Sequence, residues 1–163
     1  MKTQDQEQLK KFEKAHKFQD QVYRYFIDEW GWHLTHITSV ENQYEQGENL
    51  QGIEIKHDQK FEKGSPNVFI SVERYYPYLH PDERTQPSGI MKEHNKRFYV
   101  IGGKNKFYIF PLKALRTFYI NEQPYLINGF KSKGNGTEKG FLLSTKKAIE
   151  LSFEVYDAQQ KIL

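Results

Sequence analysis

The apolar residues of this chain change their period near residue 31, and the change limits the folds open to it. Before that point Leu9, Phe12, Ala15, Phe18, Val22, Tyr25, Phe26 and Trp30 recur at spacings of three and four. That is one face of a helix, with Gly31 placed where a helix stops. After it the dominant period is two. Trp32, Leu34 and Ile37 alternate, and in Gly52–Asp58 (GIEIKHD) Ile53 and Ile55 alternate with Glu54, Lys56 and Asp58. Such alternation is a strand with one apolar and one polar face. A long helix followed by short strands and turns predicts an α+β domain.

The remaining elements follow from punctuation. The polar stretch 39–49 and the Gly-Ser-Pro-Asn cluster at 64–67 read as turns. Val68–Tyr76 reads as the second strand of a hairpin with Gly52–Asp58. Three of the six prolines fall between Pro77 and Ser88, which predicts an irregular loop. Arg97–Ile101 and Lys106–Phe110 flank a Gly-Gly turn and predict a hairpin. A helix is expected from Pro111, a short strand at Pro124–Asn128, and a mobile Gly/Lys-rich loop at Lys131–Lys139. GFLLS (140–144) reads as a last strand, and Thr145–Asp157 as a C-terminal helix with Thr145 as its cap. Residues 1–163 read as one domain with a mixed β-sheet between N- and C-terminal helices.

Composition narrows the function classes. There is no cysteine, so neither a disulfide framework nor a cysteine nucleophile is available. No apolar run reaches the roughly 20 residues of a membrane span. The first residues lack the apolar core of a secretory signal, so a cytoplasmic protein is expected. Aromatic residues make up 15% of the chain, which argues against disorder. A net charge of +3 permits a polyanionic partner without requiring one.

The polar face of the expected hairpin carries the most chemistry. Glu54, Lys56 and Asp58 occupy alternate positions of one strand, and Ser71 and Glu73 lie on the other. Carboxylates converging with a lysine suit Mg²⁺, a hard cation that takes oxygen ligands and keeps waters. Such an ion polarises a phosphodiester and lowers the pKa of a bound water. The lysine then orients that water or neutralises developing charge. Alternating Glu and Lys is equally the ordinary pattern of a solvated strand face. Arg74, with Tyr75, Tyr76 and Tyr78, suits base stacking or packing at a sheet edge. Lys131, Lys133 and Lys139 suit a phosphate backbone or a solvated loop.

The series GIEIKHD, NVFISVER, PSGI, FYVIG and FYIFPLKAL, from Gly52 to about Leu115, resembles the PD-(D/E)XK nuclease superfamily. The likeness is greatest to its small phage-associated and Holliday-junction-resolvase-like members. The resemblance implies a restriction-endonuclease-like core and a metal-dependent endonuclease that hydrolyses DNA, with Mg²⁺ or Mn²⁺ as cofactor. It implies Asp58 and Glu73 as metal ligands, assisted by Asp20 on the first helix. Catalytic roles then fall to Glu54, Lys56, Asp58 and Glu73, and DNA contacts to Arg74, Tyr76, Lys131 and Lys133. Many members act as dimers, so a homodimer is expected. Ser71 departs from the pattern, standing where the family has a glutamate. A second register takes Glu54-Ile55-Lys56 as the acid-x-lysine element, with the first acid from Glu45 or Glu48. The alternative function is a non-catalytic module of the same fold that binds nucleic acid or a partner subunit.

Overall fold

The computed structural model describes residues 4–37, 39, 49, 51–132 and 136–160, with backbone alone for 130–132. Helix α1 runs Gln4–Trp30. Gly31, at φ +67°, ends it, its N–H bonding back to the Ile27 carbonyl. β1 (Glu54–His57), α2 (Gln59–Glu62), β2 (Asn67–Tyr75) and β3 (Thr85–Pro87) follow. Then come β4 (Phe98–Gly103), β5 (Lys106–Pro111), α3 (Leu112–Glu122), β6 (Ile127–Ser132), β7 (Gly136–Ser144), α4 (Thr145–Leu151) and β8 (Glu154–Asp157).

The strands form two sheets. The first has the order β1-β4-β5-β8, with β1 parallel to β4 and the other pairs antiparallel. The second, β3-β2-β7-β6, is antiparallel throughout. One face of the first sheet packs Ile53, Ile55, Val100, Phe107 and Ile109 against Phe18, Val22 and Phe26 of α1. Its other face packs Tyr99, Ile101, Tyr108 and Phe110 against Val68, Ile70, Val72, Phe141 and Leu143 of the second sheet. Leu112 and Leu115 of α3 and Ala148 of α4 complete that core. The layers are therefore helix, mixed sheet, antiparallel sheet. No helix among the described residues is long and apolar enough to cross a membrane.

Several expectations are corrected. Gly52–Asp58 and Val68–Tyr76 do not form a hairpin. Asp58 caps α2, its Oδ1 accepting from the Phe61 N–H at 3.0 Å, and the chain leaves the first sheet. β1 then finds its partner in β4, and β2 in β7. The apolar face of α1 is buried only from Phe18 onward, and Leu9 and Phe12 are exposed. A helix of 27 residues spans about 40 Å, whereas the four to six residues of each strand in the first sheet span about 13–20 Å, so the helix outruns its sheet. Trp32–Ile37 contributes one isolated bridge, His36 to Asn49. The proline-rich loop contains a 3₁₀ turn at Pro81–Glu83 and the short β3. Most of Lys131–Lys139 belongs to β6 and β7, while Lys133 lies outside the described residues. The C-terminal helix is only α4, and its cap is Ser144, whose hydroxyl accepts from the Lys147 N–H. After Ser152 the chain is extended, and β8 adds an edge strand beside β5.

Candidate functional site

The site begins with the alternation of β1. Asn49 holds the strand's entrance through both sides of its amide: Nδ2 donates to the Ile53 carbonyl at 2.7 Å and Oδ1 accepts from the Ile53 N–H at 3.0 Å. Ile53 and Ile55 face α1. Glu54 and Lys56 therefore face the other way, in register with Tyr99 and Ile101 of β4. Glu54 is completely buried there.

A buried carboxylate persists as an anion only with cations or donors around it. Glu54 has three. Lys56 Nζ forms an ion pair with Oε1 at 2.8 Å. Lys92 Nζ lies 3.9 Å from the same oxygen. Asn95 Nδ2 donates to Oε2 at 3.0 Å and to the Gly89 carbonyl at 2.8 Å. Burial alone would push the Glu54 carboxyl up; the two lysines and the donated hydrogen bonds outweigh it and hold it below the usual carboxylate value. The lysine side chains remain 31% and 35% exposed. Two ammonium groups thus stand at the surface above one buried anion. Close by, the His94 imidazole is pushed down, first by burial and then by Lys92.

A second polar group adjoins the first. Ser71 Oγ lies 3.1 Å from Ser88 Oγ and 3.3 Å from Glu138 Oε1. The carboxylate only accepts, so Ser71 donates to Glu138 and Ser88 donates to Ser71. Arg74 Nη2 donates to the same Glu138 oxygen at 2.9 Å. Gly89 lets this corner close: a Cβ there would lie 2.2 Å from the Ser71 carbonyl oxygen, and its φ is +50°. Tyr99 links the two groups. Burial pushes its phenol far up, opposed by Lys56 and reinforced by Glu54 and Glu138. Its hydroxyl makes no hydrogen bond of ordinary geometry among the described residues.

The residues singled out from sequence meet different fates. Glu54 and Lys56 are brought together. Asp58 is spent on the backbone, its Oδ1 on the Phe61 N–H and its Oδ2 on the Phe69 N–H, each at 3.0 Å. Ser71 and Glu73 do not share one alternating face, because the β2–β7 register slips between them. Ser71 is buried, and Glu73 is half-buried opposite Pro87 and Lys139. Asp20 is exposed on α1, which covers the sheet face opposite to Glu54. His57 has its side chain buried beside Phe18, its Nε2 2.7 Å from Glu62 Oε2. Arg74 is paired with Glu138, and Tyr76 packs edge-on to Tyr78 at 5.9 Å. Lys131 lies in β6 by its backbone. Lys133, Glu45 and Glu48 lie outside the described residues. Sequence reasoning missed Lys92, Asn95 and Glu138. PSGI was the only pointer to this corner, since nothing local marks a lysine or asparagine that reaches a strand about forty residues away.

Mg²⁺ is the ion the resemblance implies for these carboxylates. No three His, Asp or Glu side chains gather to hold an ion among the described residues. Glu54 faces two ammonium groups, Asp58 two backbone N–H groups, and Glu138 a guanidinium. Mg²⁺ needs oxygens that bring negative charge to it. In this structure these three carboxylates are engaged by cations or N–H donors and are not gathered around one point. What the arrangement offers instead is a pair of cations already fixed in place. Part of the side-chain entropy lost on gripping an anion has been given up on folding. Compared with known proteins, the chain matches no family model, no curated protein and no solved structure.

Proposed function

We propose that this chain binds DNA through its phosphate backbone without cleaving it, as a non-catalytic module of the fold its sequence resembles. The observation that carries the reading is the pair of lysines, Lys56 and Lys92, whose side chains are about one third exposed and whose ammonium groups flank the buried Glu54. The anion beneath orients both cations. A phosphate oxygen is the natural ligand for such a pair. Lys139 adds a cation on β7, its Nζ 5.8 Å from the Tyr75 ring centre. Tyr78, 61% exposed, offers a ring for stacking.

The test is binding of labelled duplex, single-stranded and branched DNA, and of RNA, across a salt series, with Mg²⁺ and with EDTA. DNA binding indifferent to chelator is expected. Lys56→Gln and Lys92→Gln should each weaken it for every DNA sequence and reduce the salt slope by about one. Tighter binding of RNA would change the partner, and no binding even at low salt would end the reading.

The contact between Glu54 and Lys56 on one strand face favours a second reading. It is a metal-dependent endonuclease in the acid-x-lysine register, with the further acid from Glu45 or Glu48. Metal-dependent cleavage that vanishes in Glu54→Gln would put this reading in place of the first.

A further inference from the structure

Arg116 lies on α3 and is half-buried. Its guanidinium donates to three carbonyls: Ile90 at 2.6 Å, Lys92 at 2.9 Å and Asn95 at 2.9 Å. No carboxylate pairs with it among the described residues. A charged group that spends its donors on neutral carbonyls is holding backbone in place.

All three carbonyls belong to one segment, 88–96, between β3 and β4. Ile90 anchors its start in the core, and the Lys96 N–H closes its end on the Gly52 carbonyl at 3.0 Å. Between these points its backbone bonds are short-range, Lys92 N–H to Gly89 and Asn95 N–H to Lys92. The same stretch delivers Lys92 and Asn95 to Glu54. Arg116 ties the backbone of this middle part to α3, while Asn95 and Lys92 reach Glu54 through their side chains.

We propose that Arg116 is a positioning residue for the phosphate site: it sets where the Lys92 ammonium stands without touching the ligand. The inference rests on the DNA-binding reading. Lysine at 116 keeps the charge but cannot span three carbonyls as a planar fork does. A long-range charge effect would survive Arg116→Lys, whereas a positioning effect would not.

The experiment uses the full chain with a labelled DNA duplex and compares wild type, Arg116→Lys, Lys92→Gln and the double variant. Arg116→Lys should weaken binding about tenfold and lower the salt slope toward that of Lys92→Gln. In the Lys92→Gln background the same change should alter affinity less than about twofold. Wild-type affinity in Arg116→Lys, or an equal loss in both backgrounds, overturns the proposal. Hydrogen exchange supplies a readout that needs no ligand. Arg116→Lys should speed exchange at the Lys92 and Asn95 amides and leave the β5 amides unchanged. Unchanged exchange at 92 and 95 also overturns it. Failure of wild type to bind DNA, with exchange altered as expected, would sink the DNA reading and leave Arg116 as the clamp of this segment. Should the variant not fold, wild-type exchange decides. The Lys92 and Asn95 amides should then open together with those of α3, and independent, much faster opening refutes the tie.

Discussion

Replacing Glu54 with glutamine removes one charge and almost no volume, so it isolates what the buried anion contributes. Removing one partner of a buried pair costs about 3–5 kcal/mol, because the other charge is left unpaired. Two features lower that figure here. Lys56 and Lys92 are 31% and 35% exposed and can turn toward water. The glutamine oxygen can still accept from Asn95 Nδ2. A loss of about 2–3 kcal/mol remains, or a Tm lowered by roughly 5–10 °C at this chain length. The pH dependence has a definite sign. The folded Glu54 carboxyl lies below its ordinary 4.5: burial opposes this, and Lys56, Lys92 and Asn95 override it. A depressed acid stabilises the fold above its unfolded value, and that stability disappears as pH falls through the folded value. The gap between wild type and Glu54→Gln should therefore be constant near neutrality and shrink below about pH 4. Urea unfolding of both proteins near pH 7 and near pH 3 measures it. A gap under about 0.5 kcal/mol at neutrality, or one undiminished in acid, would refute the reasoning.

Two further substitutions test the assignments around the site. Asp58→Asn keeps one acceptor for the two N–H groups now served, so it should cost about 1–2 kcal/mol in urea unfolding and leave DNA affinity unchanged; unchanged stability with lost binding would return Asp58 to the ligand site. Gly89→Ala would place a Cβ 2.2 Å from the Ser71 carbonyl oxygen at a φ of +50° and should cost about 3 kcal/mol or more by the same measurement; a near-neutral result would mean that the Ser71–Ser88 corner is not packed as described.

Period and punctuation in the chain were enough to define α1, the β4–β5 hairpin and α3. Each is local: a helical stripe stopped by Gly31, two alternating runs around a Gly-Gly turn, and a helix after Pro111. Alternation also determined that Glu54 and Lys56 share a face, because residues two apart on a strand point the same way. Alternation says nothing, however, about which strand lies alongside. β1 chose β4 over β2 because Asp58 starts a helical turn instead of a hairpin, and that choice made two sheets of an expected one. The C-terminus shows the same limit. Local spacing continued a helix from Thr145 to Asp157, but the open edge of β5 captured 154–157, with the Phe153 N–H on the Ile109 carbonyl.

The candidate site divides along the same line. Its carboxylate and first lysine were legible because they are neighbours on one strand. Lys92, Asn95, Glu138 and Arg116 were not, because they act from segments distant in sequence from β1 and are brought in by packing. Whether Glu54 is a metal ligand or the anchor of two cations depends on what surrounds it. Sequence determined that a carboxylate and a lysine stand together on one face of β1. Tertiary structure alone decided that this carboxylate is sealed from water and held by a second lysine and an amide, because burial and charge neutralisation are properties of assembled elements.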